Sequence, residues 1–145
     1  MPAVTTEDRG AISIIRINRP ERLNAIGQGV AVEMQLAFKA FDADPDKRVA
    51  ILSAAGTRAF SSGADVNELP ELWRAIPNVG FHTDNPIIAA TSGWVVSGGI
   101  VMVMVMVMVM VCDLMVSTED TQFFYPEAKL GTTAGAISFS TPRRW

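Results

Sequence analysis

The chain has 145 residues, of which 49% are hydrophobic and 19% are charged. This length is typical of one domain and the composition argues against a disordered chain. The small net charge of −3 and the lack of a basic patch with interleaved aromatic residues argue against nucleic-acid binding. The single cysteine, Cys112, excludes an internal disulfide framework, and the single histidine, His82, argues against a metal site. Without a signal peptide pattern, we expect a cytoplasmic protein.

The first part of the chain alternates between strand and helix patterns. Ala11–Ile17 alternates and is rich in isoleucine, which predicts a strand, and Val4–Asp8 is predicted to pair with it in a hairpin across Arg9-Gly10. Apolar residues recur at helical spacing over Gln28–Phe41, which predicts an amphipathic helix. Asp44-Pro45-Asp46 is predicted to end this helix.

The following segments are predicted to be buried parallel strands separated by loops. Val49–Ser53 and Pro86–Thr91 are short apolar runs that are typical of such strands. Ala54–Asp65 is predicted to be a loop, Glu71–Ala75 a single helical turn, and Gly93–Gly99 a turn of small residues. The order of strand, helix, strand, loop and strand indicates an α/β layered fold.

A strict alternation of valine and methionine covers Val101–Val111. Both residue types are apolar, so the pattern fits a strand and a buried helix equally. Its uncharged, proline-free and β-branched character is typical of an aggregation-prone segment. The apolar stretch Val95–Val111 also leaves a membrane-associated segment open, although it is followed by Asp113 and lacks flanking Lys or Arg.

Four groups of short motifs follow one another along most of the chain. They are Asn18-Arg19-Pro20 with Leu23-Asn24-Ala25, then Ala59–Asp65, then Pro86–Thr91 with Gly93–Gly99, and finally Cys112-Asp113-Leu114 with Gln122-Phe123 and Pro126–Gly131. In this order they resemble the crotonase (enoyl-CoA hydratase/isomerase) family. The resemblance implies an α/β fold built as a spiral of β-β-α units, with residues 1–145 forming a partial domain truncated before the family's C-terminal helical region. It also implies trimers or hexamers, although the region that forms them in the family has no counterpart here.

The resemblance implies an enzyme that binds an acyl-CoA thioester and stabilises its enolate. It assigns the two backbone donors of an oxyanion hole to Ser62 and Gly98, and the role of acid or base to Glu127. Each good donor lowers such a barrier by about 3–4 kcal/mol. The other substrate-binding residues implied by the two loops are Ala59, Ser61, Gly63, Ala64, Asp65 and Gly99. Coenzyme A is part of the substrate, so no separate cofactor and no metal is implied.

Taken separately, these motifs have structural interpretations. Ser61–Gly63 and Ser97–Gly99 match ordinary turns, and Glu127 matches a solvated glutamate at the start of an element. Asp65 is predicted to cap a short helix, and Asp113 to cap or pair locally. His82 is predicted to lie in a surface loop, because its neighbours are typical of turns.

Three departures from the family pattern affect the functional prediction. Hydratases of the family carry a second glutamate where this chain has Val101, so we favour an isomerase-like proton transfer. Twelve residues, Ile100–Val111, separate the glycine turn from Cys112-Asp113, about twice the family spacing, and in a helix the surplus would rotate the following residues by roughly 240°. From Gly135 onward the family's next motif is matched poorly. A non-catalytic remnant or interaction protein is therefore the alternative.

Overall fold

The computed structural model of the protein describes residues 1–65, 67–68, 70–96, 109 and 111–124. The α-helix of this part, α1, spans Gln28–Ala43, and two 3₁₀ turns cover Pro20–Arg22 and Leu72–Ala75. Its strands are β1 (Val4–Arg9), β2 (Ile12–Ile17), β3 (Val49–Ala54), β4 (Ala59–Ser61), β5 (Ile87–Thr91), β6 (Trp94–Val96), β7 (Leu114–Ser117) and β8 (Gln122–Phe124).

The strands form two sheets that the chain visits in turn. The large sheet has the order β1-β2-β3-β5-β7, and the small sheet has the order β4-β6-β8. All pairings are parallel except that of β1 with β2. From β3 onward, each strand of the large sheet is followed by one of the small sheet. This winding is the predicted spiral of β-β-α units.

The core is formed by buried residues of α1 and the large sheet, together with Phe60 and Val95 of the small sheet. Ile15 and Leu52, from two neighbouring strands, are completely buried. On the helix, Phe38 is also fully buried, and its ring stacks on Phe81 with a centroid distance of 4.3 Å. Phe60 of β4 belongs to the same buried cluster. Burial of these side chains stabilises the arrangement by roughly 2–3 kcal/mol each.

Most elements predicted from periodicity are confirmed. The hairpin forms in full register from Val4 opposite Ile17 to Arg9 opposite Ile12. The helix begins at the predicted residue, Gln28, and ends next to Asp44, whose N–H donates to the carbonyl oxygen of Phe41. β3 and β5 are the predicted parallel strands, and the predicted turn at residues 71–75 is the second 3₁₀ turn.

Two predicted loops contain strands, so those predictions were wrong in part. The predicted loop Ala54–Asp65 includes β4, and the predicted turn Gly93–Gly99 includes β6. Each strand has three residues, too few for a recognisable alternation of apolar and polar positions. Their hydrogen-bonding partners lie far away in sequence, so the pairing arises only when the spiral has formed.

The Val-Met alternation lies mostly outside the described residues, which include only Val109 and Val111 of it. Val109 has helical backbone and is 2% exposed. Asp113 then exchanges two hydrogen bonds with Ile87, one from its N–H (2.9 Å) and one to its carboxylate (2.8 Å). This contact joins β7 to β5, so the predicted local role of Asp113 was wrong. Beyond this segment, β7 pairs with β5 and β8 with β6.

The membrane hypothesis for Val95–Val111 falls mostly outside the described residues as well. Val95 itself is fully buried in β6. In the ranges that the structure describes, no helix combines the length and apolarity needed to span a bilayer.

Candidate active site

The small sheet brings the carboxyl ends of three parallel strands to one edge. β6 lies between β4 and β8, Ser61 is paired with Val95, and Val96 is paired with Phe124. Each strand is followed directly by a segment that the sequence predicts to be functional. Ligands of parallel α/β sheets bind outside the carboxyl ends of the strands. This edge is therefore the candidate active site.

The structure describes the first of these segments and the strands that lead into the other two. Ala59 and Ser61 lie in β4, and the next residues form a loop, Ser62–Asp65, here called the first loop. The predicted residues Gly98, Gly99 and Glu127 lie outside the described residues. The direct evidence on the site therefore comes from the first loop and its surroundings.

The first loop is fixed to a preceding segment by hydrogen bonds. The buried hydroxyl of Ser61 donates to the carbonyl oxygen of Asn24 (2.8 Å) and accepts from the N–H of Gly63 (3.2 Å). The N–H of Ile26 donates to the carbonyl oxygen of Gly63 (2.8 Å), and the carbonyl oxygen of Ile26 accepts the N–H of Asp65 (2.9 Å). Gly63 has a φ of 101°, which glycine adopts without strain. These bonds hold the loop in one conformation.

Three of the four backbone N–H groups of the first loop donate hydrogen bonds to described residues. The N–H of Ser62 donates to the carbonyl oxygen of Leu23 at 2.9 Å, and those of Gly63 and Asp65 are bonded as described above. The N–H of Ala64 has no partner among the described residues, and this residue is only partly buried. The N–H of Ser62, the donor predicted from the sequence, is thus already bonded within the fold, whereas that of Ala64 is unpaired in the described part of the chain; which of them serves as the donor stays a prediction.

Asn24 holds the strand that leads into the first loop through hydrogen bonds. The sequence did not assign it a role. Its side chain is 1% exposed, and its amide nitrogen donates to the carbonyl oxygens of Ala55 and Ala59, both at 2.8 Å. Its side-chain oxygen accepts the N–H of Arg19 at 3.0 Å. The backbone φ of 54° is one that asparagine tolerates better than most residues. The Leu-Asn-Ala motif marked this residue, but its bonding partners could be found only in three dimensions.

Asp65 is an ionised structural carboxylate. It is 9% exposed, and it accepts a hydrogen bond from the backbone N–H of Asn67 (3.2 Å), a turn contact of the kind that a cap would make. That bond, followed by the Asn67 side chain and the positive charge of Arg19, lowers the pKa of the Asp65 carboxyl below its ordinary value, against a smaller opposing effect of burial. Asp65 therefore remains an acceptor at neutral pH and is unsuited to be a general acid.

A cavity of about 220 Å³ opens beside the loop. One wall comes from the Pro20–Asn24 region and the other from Ala55–Ala59. Arg58 lines it and is exposed, and Arg22 is exposed in the 3₁₀ turn that borders it. The cavity thus combines apolar side chains with one lining cation, Arg58, while Arg22 lies in the neighbouring turn outside the lining; positive charge of this kind attracts anions.

Neither His82 nor Cys112 has surroundings that suit a catalytic group. His82 is 77% exposed and contacts Asn78 and Asp84, as predicted for a surface residue. Burial, with a smaller effect of the charge on Asp113, raises the pKa of the Cys112 thiol to about 12, so it does not form a thiolate nucleophile at neutral pH. Among the residues the structure describes, no cluster of His, Cys, Asp or Glu is arranged to hold a metal ion.

Comparison with known proteins identifies the family. The family model described as enoyl-CoA hydratase/isomerase matches residues 7–144. The chain belongs to this family. A probable mitochondrial enoyl-CoA hydratase of Dictyostelium discoideum is 34% identical to this family member over 140 residues, covering 90% of the chain and 48% of the relative. The mitochondrial enoyl-CoA hydratase of Pongo abelii is 32% identical, covering 92% of the chain and 48% of the relative.

Solved structures confirm that this family member has the crotonase-like fold. An enoyl-CoA hydratase from Mycobacterium tuberculosis H37Rv superimposes with a TM-score of 0.79 at 31% identity, covering 93% of this chain and 53% of the other. A probable enoyl-CoA hydratase/isomerase from Mycobacterium abscessus gives a TM-score of 0.78 at 30% identity, covering 96% of this chain and 54% of the other. The chain spans about half the length of the proteins it matches.

Proposed function

We propose that this family member binds an acyl-CoA thioester and stabilises the enolate formed from it. The observation that carries the proposal is the shared edge of the small sheet, where three adjacent parallel strands end at Ser61, Val96 and Phe124. Ala64, Gly98 and Glu127 each follow one of these strand ends by two or three residues. Neighbouring strands are about 4.8 Å apart, which supports a common site for the three segments.

In the proposed reaction, charge develops on the thioester oxygen. Glu127 accepts a proton from the α-carbon, the C–H electron pair forms a carbon–carbon double bond, and the carbonyl π pair moves onto oxygen. The N–H groups of Ala64 and Gly98 donate hydrogen bonds to that oxygen, each lowering the barrier by about 3–4 kcal/mol. Return of the proton to a different carbon of an unsaturated chain shifts its double bond.

The cavity beside the first loop supports the choice of a coenzyme A ester. Its apolar residues Pro20 and Leu23 suit the pantetheine arm or the adenine ring, and Arg58 in its lining, with Arg22 in the adjoining 3₁₀ turn, suits the phosphates. Because both guanidinium groups are in exposed residues, they would contribute mainly to the rate of encounter with the anion and to its orientation.

Within the family, we favour isomerase-like proton transfer over hydration. The two curated relatives compared above are named as hydratases, but Val101 stands where the resemblance implies their second glutamate. A hydratase holds the attacking water between two carboxylates, whereas a single carboxylate is sufficient to remove and return one proton. Cytoplasmic location and assembly as trimers or hexamers stay predictions.

The second candidate function is that of a non-catalytic remnant of the family fold or an interaction protein. It is favoured by the same valine at position 101 and by the Val-Met segment between β6 and β7, which separates two of the proposed site segments. This candidate predicts no chemistry.

Deuterium exchange at the α-carbon of butyryl-CoA in D₂O tests the proposal directly, since exchange requires the enolate but neither a water nucleophile nor a particular product. We expect exchange by the unaltered protein, and for Glu127→Gln a loss of exchange with nearly unchanged binding. Binding without exchange by the unaltered protein would favour the non-catalytic candidate. No binding at millimolar butyryl-CoA would refute the proposed function and favour the remnant or interaction protein, and full exchange by Glu127→Gln would remove this residue from the mechanism.

A further inference from the structure

One guanidinium group links the first loop to the segment that precedes α1. The Nη2 atom of Arg19 lies 3.4 Å from Oδ2 of Asp65 and 3.3 Å from Oε1 of Glu68, and its Nη1 atom donates to the carbonyl oxygen of Ala25 at 3.2 Å. The Arg19 side chain is 19% exposed and that of Asp65 is 9% exposed. We call Arg19, Asp65 and Glu68 the Arg19 clasp.

We propose that Arg19 is a positioning residue that fixes the direction of the Ala64 N–H. This inference rests on the proposed function, because it concerns the donor of the oxyanion hole. The peptide that carries the Ala64 N–H joins Gly63 to Ala64, and its carbonyl oxygen accepts the N–H of Ile26. The next residue, Asp65, is held as well, its N–H by the carbonyl oxygen of Ile26 and its carboxylate by Arg19. Arg19 therefore limits rotation of the Ala64 peptide from its C-terminal side, in addition to the direct bond from Ile26.

The clasp also extends to the start of α1. Oε2 of Glu68 accepts the N–H of Gln28, the first residue of the helix, at 2.8 Å. The residue at the N-cap position, Gly27, makes no side-chain capping bond, so Glu68 supplies the acceptor and the negative charge that helix N-termini favour. Through Glu68, Arg19 is thereby connected to α1. Because the apolar side of α1 is buried in the core, this end of the clasp is fixed in position.

An independent feature of the sequence fits the clasp. Gly27 has an ordinary φ of −89°, so its backbone does not require glycine. A Cβ atom added there would lie 2.1 Å from Oε2 of Glu68 and 2.6 Å from Nη1 of Arg19. The lack of a side chain at position 27 therefore leaves the space that the clasp occupies.

Arginine suits this position better than lysine. Its planar fork offers several N–H donors in fixed directions, and here three acceptors on different segments are contacted. A lysine ammonium would keep the charge next to Asp65 but would not contact all three acceptors in the same geometry.

The test compares Arg19→Gln, Arg19→Lys and Gly27→Ala with two matched controls. Arg9→Gln removes another arginine–glutamate pair, at an arginine side chain that is 67% exposed. Gly29→Ala adds a methyl group in the same helix at a position with nothing within 4 Å. Two readouts are taken: kcat and KM for α-proton exchange on butyryl-CoA, and the NMR chemical shifts and order parameters of the Ala64 and Asp65 amides without ligand.

We expect Arg19→Gln and Gly27→Ala to lower kcat roughly ten- to hundredfold, as small misplacements of catalytic groups do, while KM stays within about threefold. The Ala64 and Asp65 amide signals shift and their order parameters fall. Arg19→Lys has a smaller effect of the same kind, and both controls match the unaltered protein.

Unchanged kcat together with unmoved Ala64 and Asp65 signals in Arg19→Gln would overturn the inference. If that variant does not fold, Arg19→Lys and Gly27→Ala decide by the same criteria. If the unaltered protein shows no exchange, the proposed function fails, and the amide signals alone decide whether Arg19 positions the loop: movement supports the clasp and its absence refutes it.

Discussion

Ser62 donates its backbone N–H to the carbonyl oxygen of Leu23 at 2.9 Å. This bond makes the Ser62 peptide part of the framework that supports the first loop. Two residues further on, the N–H of Ala64 has no partner in the described part of the chain. The Ser62 amide is therefore part of the framework of the fold, and the proposed function gives the Ala64 amide the task of binding the thioester oxygen.

Replacing single backbone amides by esters separates these tasks. Lactic acid at position 64 removes the Ala64 N–H while keeping the methyl group, and we expect kcat for α-proton exchange to fall roughly 10²–10³-fold, as for the loss of one oxyanion donor. The loss of thermal stability should be small, because the lost N–H has no described partner and the ester only weakens the Gly63 carbonyl oxygen as the acceptor of the Ile26 N–H. Exchange kinetics and unfolding midpoints of the same samples provide the measurement.

The matched ester at Ser62 should behave in the opposite way. It removes the bond to Leu23, so we expect a loss of about 0.5–1.5 kcal/mol in the free energy of unfolding and a smaller loss of activity than at Ala64. If the Ser62 ester were instead the one that abolishes exchange without loss of stability, Ser62 would be the donor.

Asn24→Ala should be strongly destabilising. It leaves the carbonyl oxygens of Ala55 and Ala59 and the N–H of Arg19 without this partner, and we expect a loss of roughly 2–4 kcal/mol in the free energy of unfolding, measured with urea. Asn78→Ala is the control, since Asn78 has a similar φ of 62° but is exposed. Equal losses in the two variants would mean that backbone strain, and not hydrogen bonding, accounts for Asn24.

Gly93→Ala should disturb the contact between β4 and β6, because Gly93 lies directly before β6 and is bridged to Ala59 of β4. Gly93 has a φ of 61°, and an added Cβ would lie 2.4 Å from the carbonyl oxygen of Arg58, which accepts the N–H of Trp94. Gly10→Ala shares the positive φ (58°) but meets nothing within 4 Å, so it reports the strain alone, about 1 kcal/mol. We expect Gly93→Ala to cost clearly more in a urea titration. Similar costs for both would show that β4 and β6 can separate freely.

Asp65 should make the stability of the fold depend on acid. The pKa of its carboxyl is lowered in the folded state, chiefly by the hydrogen bond from Asn67. Its contribution is therefore fully present above the ordinary value of 3.8 and is lost as the pH falls through the lower folded-state pKa.

Urea midpoints measured from pH 7 to pH 2.5 for the unaltered protein and Asp65→Asn test this dependence. The variant should be less stable at pH 7, and the difference should shrink below about pH 4. Asp84→Asn, which removes a carboxylate from a fully exposed side chain, controls for the change in net charge. A difference between Asp65→Asn and the unaltered protein that stays constant down to pH 2.5 would contradict the role of the ionised carboxylate.

The elements found correctly from the sequence are those whose signal is contained in their own residues. β2 alternates over six residues and α1 repeats its apolar positions over four turns, so each pattern matches the face that is buried. The hairpin turn at Gly10 and the end of α1 at Asp44 are likewise local, because they depend on backbone dihedrals and on neighbouring residues.

The small sheet was missed because its strands have three residues each and carry no periodicity. Ala59 pairs with Trp94, and Trp94 with Gln122, partners about 30 residues apart that meet only after the spiral has wound. The same holds for the Arg19 clasp, because its arginine lies 46 and 49 residues before its two carboxylates and meets them only through long-range packing.

By itself, the sequence determined the family, the periodic strands and helix, and the short stretches to which the predicted functional groups belong. Only the tertiary structure decided which amides of the first loop are bonded within the fold and which side chains hold that loop. The physical reason is that a residue type limits what a group can donate or accept, whereas the partner that occupies it is set by the distance and direction of groups from remote parts of the chain.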